Sequence, residues 1–302
     1  MKKIGIVILN YKSYRDTIRL ISDLQKQKGD IFLEIVVVDN NSPNESVGEI
    51  DKYLTTIEFI YNVYFIKNDC NSGYAKGNNV GLRYLEQFNC DYVAVLNNDI
   101  YFTSIYTLDL LAKKYIELQN VAFISPVQLN ELNKEVNFSC SLPNKIPTLF
   151  DDFKLAFYLY RRKKYINNDE YIIMKGMGCG YYVVDVLPGC FIFTSYDIFQ
   201  KISFFDEETF LFLEERFLFT KIKKLGLVNY IIEELDYIHS HSKTINSEFK
   251  SLRQMSFLYD SIVQYTKKYR NFGFVKSMFL YLLYKFSLLE IFVVNIVKRI
   301  VK

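Results

Sequence analysis

The sequence predicts an α/β protein in which a mostly parallel sheet is flanked by helices. Short apolar runs rich in β-branched residues alternate with segments of helical spacing over the first hundred residues, as in chains of βαβ units. The runs are apolar throughout, which favours strands that are buried on both faces. A polar residue follows each run directly. Because ligands of such sheets bind beyond the carboxyl ends of the strands, these polar residues mark a candidate site.

The individual elements follow from these patterns in order. The first apolar run is too short for a helix, and Ile18, Ile21 and Leu24 then recur at helical spacing. The second run ends at Asp39 and passes into a turn rich in Asn, Ser and Pro. With two later repeats of the pattern, the sequence predicts strands over 4–9, 34–38, 63–66 and 92–96, and helices over 13–28 and 78–88.

The second half of the chain is less regular. Prolines and a glycine cluster interrupt residues 125–180, and we predict no elements there. An ordered apolar segment returns over 183–194, and an acidic aromatic segment follows over 204–215. A helix is predicted to continue from there to Gly226.

Residues 246–302 are expected to form an amphipathic helical region behind an α/β domain over 1–245. Lys276, Lys285 and Glu290 interrupt the apolar run near the end, which leaves it short of the roughly 20 residues that a membrane span needs. The flanking bases and aromatic residues suit a helix that lies on a membrane surface, and packing on the body or on a partner is the alternative. The apolar stripe comprises Val275, Met278, Phe279, Leu282, Phe286, Leu289, Val293, Ile296, Val297 and Ile300.

Composition argues against several classes of function. The net charge of +3 comes from 37 basic and 34 acidic side chains, so no global field draws the protein to nucleic acid. The five cysteines are widely spaced and include no C-x-x-C pair, which argues against disulfides and a zinc site and favours a reducing compartment. The apolar run after Met1 stops at Asn10 before charged residues, so it predicts a strand and not a signal peptide. We therefore expect a cytoplasmic protein.

Two carboxylates follow predicted strands. Asp99 ends the segment YVAVLNND and would give a hard oxygen ligand for Mg²⁺ or Mn²⁺, which keep open positions for substrate phosphates. The alternative is that Asp99 caps a following helix. Asp39 ends the segment IVVVD and could accept hydrogen bonds from a base or a ribose.

The segment NDCNSGYAKGNNVGLRY has features of a phosphate-binding turn. Gly73 allows close backbone approach, Lys76 can meet a phosphate, and the helix N-terminus that follows favours an anion. The segment lacks the P-loop pattern and the dinucleotide-binding glycine pattern. It therefore predicts neither of those two kinds of site.

Further candidates lie late in the chain. Glu214 and Glu215 lie among Phe and Leu residues, and a carboxylate in apolar surroundings tends to have a raised pKa and can serve as a general base. The alternative is an amphipathic helix with a solvated acidic edge. Either His239 or His241 could contribute one metal or phosphate ligand.

Taken in order, these segments resemble the inverting family 2 glycosyltransferases of the GT-A fold, especially the rhamnosyltransferase-like branch. The first strand runs into Asn-Tyr in VILNYKS, the second ends as VVDNNS, NSGYAKGNN follows, and LNND closes the metal motif. A Gly-Cys pair, the segment FDEETF, a Glu-Glu pair and HSHS come later. The resemblance covers residues 4–245.

The resemblance implies roles for particular residues. Asp39 matches the nucleobase contact, Asp99 the metal ligand, and Glu215 the catalytic base, with Glu214 beside it. His239 matches the late histidine of the family and is the second expected metal ligand. The expected contacts of the nucleotide sugar are Asn10, Tyr11, Asp39, Asn71, Gly73, Lys76, Asn79, Asn97 and Asn98.

The chain departs from the family pattern at two positions. The family usually has an acidic residue two positions after the base and an Arg further on, where this chain has Phe217 and Lys221. This departure allows altered acceptor binding, or a base at Glu214. Separately, the spacing of the two histidines leaves open whether His239 or His241 reaches the metal.

The resemblance implies an inverting, Mn²⁺- or Mg²⁺-dependent glycosyltransferase. Its expected partners are a UDP- or dTDP-sugar donor and a glycan or lipid-linked acceptor, with self-association left open. We expect a role in bacterial cell-surface polysaccharide synthesis, at the inner face of the cell membrane. The alternatives are a catalytically degenerate nucleotide-binding scaffold at the membrane and a sugar-phosphate nucleotidyltransferase. The second should carry a glycine-rich loop after the first strand, where this chain has ILNYKSYRD.

Overall fold

The computed structural model describes residues 1–130, 146–157, 180–240 and 252–300. Its strands are β1 (Lys2–Asn10), β2 (Ile31–Asp39), β3 (Asn62–Lys67), β4 (Tyr92–Asn97), β5 (Ile100–Phe102), β6 (Val121–Asn130), β7 (Tyr181–Val184), β8 (Phe191–Ser195) and β9 (Val228–His239). Its helices are α1 (Tyr14–Leu24), α2 (Ser46–Thr56), α3 (Tyr74–Tyr84), α4 (Thr107–Glu117), α5 (Leu149–Lys154), α6 (Tyr196–Lys201), α7 (Glu214–Lys224), α8 (Leu252–Tyr269) and α9 (Phe274–Ile300). A 3₁₀ turn, Leu85–Phe88, continues α3.

The nine strands of these described ranges form one sheet in the order β3-β2-β1-β4-β8-β6-β9-β5, and β7 pairs with β9. Strands β3, β2, β1 and β4 are parallel to one another. Strand β8 is antiparallel to β4 and β6, and β9 is parallel to β6 but antiparallel to β5 and β7. The predicted α/β class is confirmed. The parallel strands lie in the first half of the chain, where apolar runs alternate with helical spacing, and the antiparallel pairs make the sheet mixed.

The central strands are buried on both faces. Ile4, Ile6 and Ile8 of β1 belong to a core cluster that also contains side chains of α1 and α4. Val7 of β1 belongs to a second cluster with side chains of α3, α6 and α7. Successive side chains of a strand point to opposite faces, so burial of both faces explains the uninterrupted apolar runs in the sequence.

The structure corrects several element boundaries. Helix α1 ends at Leu24 and α3 begins at Tyr74, whereas the sequence predicted 28 and 78. The segment predicted over 183–194 divides into β7 and β8, because the intervening loop contains Pro188 and Gly189. Several elements were missed, among them α2, α4, α5, α6, β5 and β6. Pro126 lies within β6 at a register shift against β9, where its lack of an N–H is tolerated.

Helices α8 and α9 pack against each other and against α5. Their shared cluster includes Tyr259 and Ile262 of α8 with Leu280 and Tyr284 of α9. The rings of Tyr259 and Tyr284 are stacked with centroids 4.1 Å apart. The predicted domain boundary at 245 lies outside the described residues, so it stays a prediction.

The apolar stripe predicted for the last thirty residues is the exposed face of α9. Its members from Val275 to Val297 are between 41% and 78% exposed, whereas Leu280 and Tyr284 on the other face are buried. Phe274–Val294 is long and apolar enough to cross a membrane by length and composition, a test that helices of other kinds also pass. The expectation that this run is too short for a span is therefore wrong.

Candidate active site

The carboxyl ends of β1 and β2 form a buried polar layer. Asn10 Nδ2 donates a hydrogen bond to Asp39 Oδ2 over 2.6 Å, and Thr17 Oγ1 donates to Asn10 Oδ1 over 2.8 Å. The backbone N–H of Ser42 and its hydroxyl donate to the two oxygens of Asp39 over 2.8 and 2.7 Å. Asn10 and Asp39 are fully buried. The carboxylate of Asp39 therefore organises the turn after β2, and both its oxygens already accept hydrogen bonds within the protein.

The loop before α3 is fixed by Asn40 and by a glycine. Asn40 Nδ2 donates to Asn71 Oδ1 over 2.9 Å and to the carbonyl of Gly73 over 3.1 Å. Gly73 has a φ of 88°, and a Cβ there would lie 2.2 Å from the carbonyl oxygen of Phe210. Only glycine fits this conformation and this close approach. The backbone N–H of Tyr74 donates to the same carbonyl over 3.0 Å, so the loop is held against residue 210.

Asp99 and His239 lie side by side. Strand β5 begins directly after Asp99, and its first residue, Ile100, pairs with His239 of β9. This pairing brings His239 Nε2 to 3.0 Å from Asp99 Oδ1. Burial lowers the pKa of His239, but hydrogen bonds with Asp99 and Cys190 outweigh burial and raise the pKa to about 10. The two predicted metal ligands are thus neighbours, and His241 lies outside the described residues.

These two side chains fit a divalent cation. A carboxylate oxygen and an imidazole nitrogen are both ligands of Mn²⁺, and a site with few protein ligands leaves positions for substrate phosphates and water. Within the described ranges, no group of three or more His, Cys, Asp or Glu side chains collects at one point. A metal held here would therefore take further ligands from a bound substrate or from water.

Glu214 and Glu215 begin α7 after an unusual backbone turn. Phe212 and Leu213, immediately before them, have φ values of 74° and 68°, which non-glycine residues adopt rarely and mostly where surrounding structure holds them. Burial and the charge of Glu215 raise the pKa of Glu214 to about 8, and burial raises the pKa of Glu215. Oε1 of Glu214 is buried and has no hydrogen-bond partner among the described residues. A Cβ on Gly189 would lie 2.5 Å from Glu215 Oε1, so this glycine makes room for the carboxylate.

Two adjoining cavities contain these groups. A cavity of about 350 Å³ is lined by Asp99 and His239, and a cavity of about 550 Å³ is lined by Glu214, Glu215 and again His239. The residues that line both cavities are Tyr74, Asn97, Leu211 and His239. The candidate metal ligands and the candidate bases thus face two adjoining cavities.

The structure brings most of the predicted site residues to these cavities. Asn10 and Asp39 are buried at the ends of β1 and β2 and line neither cavity. Lys76 is exposed on α3 and lines neither cavity. Asn79 is buried, and its amide bonds the backbone of Phe205 and the side chain of Glu207. The predicted residues that line a cavity are Tyr11, Asn71, Gly73, Asn97, Asn98, Asp99, Glu214, Glu215 and His239.

Sequence reasoning missed other lining residues, among them Tyr74, Gln128, Gly189 and Cys190. Tyr74 belongs to the segment NSGYAKGNN and could have been chosen with its neighbours. Gln128 and Cys190 lie on β6 and at the start of β8, and only the pairing of the second half of the sheet brings them to the site. The local sequence of Gln128 gave no comparable signal, whereas Gly189 and Cys190 form the Gly-Cys pair of the family pattern.

The two departures from the family pattern have structural explanations. Phe217 is fully buried, and its ring makes edge contacts with Tyr265 and Tyr269 of α8. Lys221 donates to the carbonyls of Ile202 and Phe204 and lies 3.2 Å from Asp206. Both side chains attach α7 to its surroundings.

The comparisons with known proteins agree with this architecture. Residues 5–178 match the sequence profile described as glycosyl transferase family 2, which is more than half of the chain. The chain belongs to this family. The predicted family is thereby confirmed, and it favours a glycosyltransferase as the kind of enzyme. The rhamnosyltransferase-like branch stays a prediction.

One relative and two solved structures illustrate the similarity. The chain is 28% identical over 218 residues to the low-salt glycan biosynthesis hexosyltransferase Agl10 of Haloferax volcanii, an alignment of 70% of this chain and 59% of that protein. It thus spans less than two thirds of the length of this relative. The mannosyltransferase PcManGT from Pyrobaculum calidifontis, in complex with GDP-Man and Mn²⁺, superposes with a TM-score of 0.58 at 13% identity, covering 94% of this chain and 71% of that one. TarS from S. aureus, in complex with UDP, superposes with a TM-score of 0.52 at 16% identity, covering 91% and 74%.

Identities this low show the fold alone. Together with the family match, they confirm the α/β, GT-A type fold of family 2. The family match also favours a glycosyltransferase over the alternative of a sugar-phosphate nucleotidyltransferase.

Proposed function

We propose that this protein is an inverting, metal-dependent glycosyltransferase that moves a sugar from a nucleoside diphosphate sugar to a hydroxyl of a glycan or lipid-linked acceptor. The observation that carries the proposal is the pair of adjoining cavities, with Asp99 and His239 lining one and Glu214 and Glu215 lining the other. Such an arrangement suits a donor diphosphate in the smaller cavity and an acceptor hydroxyl in the larger one.

Asp99 and His239 would hold the divalent cation, Mn²⁺ or Mg²⁺. When bound, the cation supplies positive charge where the departing phosphate gains negative charge. The complex of PcManGT with GDP-Man and Mn²⁺ supports a metal in a protein of this fold. For the donor we propose a UDP- or dTDP-sugar, and the binding of UDP by TarS supports the former. Asn71, Asn97 and Asn98 line the same cavity and would contact the nucleotide sugar.

Glu215 is the proposed general base and Glu214 the alternative. Glu215 is partly exposed to the larger cavity, whereas Glu214 is only 5% exposed. Glu215 would take the proton from the acceptor hydroxyl, the oxygen would bond to the anomeric carbon, and the bond from that carbon to the diphosphate oxygen would break with inversion. A carboxylate with a raised pKa is a stronger base than an ordinary one, which supports this role.

We further propose that the enzyme acts at the inner face of the cell membrane in the synthesis of a bacterial surface polysaccharide. The exposed apolar face of α9 supports membrane contact. The similarity to the glycan biosynthesis hexosyltransferase of Haloferax volcanii supports a glycan product.

Calorimetric titration tests the proposal. The protein is titrated with UDP, dTDP and GDP, each with Mn²⁺ and with EDTA, and the variant Asp99→Asn is compared with Asp51→Asn, a surface carboxylate on α2. We expect one nucleotide to bind with Mn²⁺, and this binding to be lost with EDTA and in Asp99→Asn but kept in Asp51→Asn. Nucleotide binding that is unchanged by EDTA and by Asp99→Asn would contradict the metal site. Nucleotide binding by a protein that releases no nucleotide from any donor sugar would favour the degenerate scaffold.

A further inference from the structure

The side chain of Tyr74 joins the two cavities. Its hydroxyl donates to the carbonyl oxygen of Gly189 over 2.9 Å and lies 3.2 Å from Asn97 Oδ1. Asn97 ends β4, two residues before Asp99, and Gly189 lies in the loop before β8 against the carboxylate of Glu215. One phenol therefore spans from the strand end that carries the candidate metal ligand to the loop that contacts the candidate base.

Tyr74 is itself held firmly. It is the first residue of α3, and its backbone N–H is bonded to the carbonyl of Phe210. Its ring packs edge-on against Phe205 with centroids 6.1 Å apart. Gly73 before it cannot be replaced without a clash at Phe210. The hydroxyl of Tyr74 is thus presented from a rigid frame, as a positioning group requires.

We propose that Tyr74 is a positioning residue that fixes the loop at Gly189, and through it Glu215, relative to the donor site at Asn97 and Asp99. This inference rests on the proposed function and deepens it. In-line transfer needs the base, the acceptor oxygen and the anomeric carbon in register, and a displacement of about 1 Å can cost about 10²-fold in rate. The hydroxyl of Tyr74 links the donor side, at Asn97, directly to the side of the base, at Gly189.

The chemistry of the phenol agrees with a structural tether. Burial and the nearby carboxylates of Glu215 and Glu214 raise the pKa of Tyr74 well above its ordinary value. The phenol therefore keeps its proton at physiological pH and acts as a hydrogen-bond donor. It would not compete with Glu215 for the acceptor proton.

The first test needs no turnover. Tyr74→Phe keeps the ring and removes the hydroxyl, and Tyr84→Phe on the same helix is the matched control. Amide hydrogen exchange of the free protein is measured over residues 185–190. We expect faster exchange in Tyr74→Phe and no change in Tyr84→Phe, because only the first variant loses the bond to Gly189. Equal exchange in both variants, with equal melting temperatures, would overturn the tether whether or not the protein is a transferase.

The second test asks whether Tyr74 acts through Glu215. Turnover is measured as nucleoside diphosphate released from the UDP- or dTDP-glucose whose nucleotide binds, with octyl glucoside as the acceptor probe. We expect Tyr74→Phe to lower kcat about 10- to 100-fold with nucleotide affinity within about 2-fold. We expect the double variant Tyr74→Phe, Glu215→Gln to be no slower than Glu215→Gln alone, because residues that act as a unit are not additive.

The outcomes separate the two proposals. An additive double variant, or an unchanged kcat in Tyr74→Phe, would contradict the role of Tyr74 and leave the transferase proposal standing. A wild-type protein that binds no nucleotide would contradict the proposed function, while the exchange experiment would still decide the tether.

Discussion

At the scale of single residues, Glu214 and Glu215 differ in their access to the larger cavity. Glu215 lies against Gly189 and is partly exposed, whereas Glu214 is buried and its Oε1 has no partner among the residues that the structure describes. A buried, unpaired carboxylate oxygen is costly, so such a group is retained mainly at functional sites or in its neutral form. This difference favours Glu215 as the base and gives Glu214 a supporting part.

The variant Glu215→Gln tests that assignment. We expect turnover to fall about 10²- to 10⁴-fold, the usual contribution of a positioned general base. Nucleotide affinity should change little, because Glu215 lines only the larger cavity. Nucleoside diphosphate release and calorimetry measure the two quantities, with the exposed Glu117→Gln as the control. A fully active Glu215→Gln together with an inactive Glu214→Gln would transfer the role to Glu214.

The raised pKa of Glu214 also predicts how stability depends on pH. Its pKa rises from 4.5 in the unfolded chain to about 8 in the folded protein, so between these values the folded state holds the proton more tightly. The stabilisation from this group is complete below pH 4.5 and is lost as the pH rises through about 8.

We therefore expect the melting temperature to fall between pH 6 and pH 8, and Glu214→Gln to reduce that fall by a few degrees, since about 1 kcal/mol shifts the midpoint of a chain of this size by about 2–4 °C. Thermal unfolding at both pH values measures the effect, and the exposed Glu117→Gln serves again as the control. An equal slope in wild type and Glu214→Gln would show that Glu214 titrates normally.

At the scale of elements, the sequence predicted best the strands whose burial is visible in their own residues. Strands β1, β2 and β4 are buried on both faces, so their apolar runs identify them, and the polar residues after them lie at the site. Helices α2 and α4 were missed although they are regular. Helix α2 buries only Ser46 and Ile50, and the exposed Leu110 and Ile116 obscure the apolar stripe of α4. Gln128 reaches the site only through the pairing of β6 with distant strands, and no local pattern encodes that pairing.

Helix α7 differs from the family pattern at Phe217, and this residue packs the helix against α8. The buried ring of Phe217 lies 5.3 Å from Tyr265 and 5.6 Å from Tyr269 between ring centroids, so the position commonly acidic in the family here attaches α7 to α8. Beside it, Arg216 forms a buried ion pair with Asp152. We infer that α8 is needed to hold the start of α7, where Glu214 and Glu215 lie.

The variant Phe217→Ala tests the attachment of α7 to α8. We expect a loss of about 3–5 kcal/mol in the free energy of unfolding, as for other buried phenylalanines, because the ring leaves a cavity. Chemical denaturation measures it, and Phe150→Ala, which removes a ring that is 67% exposed, is the matched control. A loss no larger than in Phe150→Ala would contradict a packed contact between α7 and α8.

At the scale of the whole molecule, the C-terminal helices α8 and α9 pack against the rest of the protein. Asp152 of α5 pairs with Arg216 of α7 and with Arg270 just after α8, and its backbone carbonyl accepts a hydrogen bond from Tyr284 of α9. Asp152 thus connects the start of the candidate catalytic helix to both C-terminal helices, through its carboxylate and its backbone carbonyl. Deleting residues 274–302 would expose the buried side chains that contact α9. Release from the membrane and unfolding could then not be told apart.

Substitutions on the exposed face of α9 avoid this ambiguity. Leu280 and Tyr284 are buried against the protein, so the opposite, apolar face of α9 can lie on a membrane surface. The exposed Lys276 and Lys285 are suited to anionic headgroups. Changing Phe279, Leu282 and Phe286 to Ser removes apolar area on the order of several hundred Å² without touching the buried face.

We expect the triple variant to move from the membrane pellet to the supernatant, and from liposomes containing anionic lipid to the free fraction, with its melting temperature unchanged. Buried apolar area supplies most of the affinity of an interfacial helix, at about 25 cal/mol for each Å². The control carries Ile57, Ile60 and Ile116 changed to Ser, which are exposed apolar residues elsewhere on the surface. If the triple variant still sediments with membranes, the α9 stripe does not hold the protein there. If instead the wild type binds no liposome and light scattering shows that the substitutions dissociate a dimer, the stripe is an interface between copies of this chain.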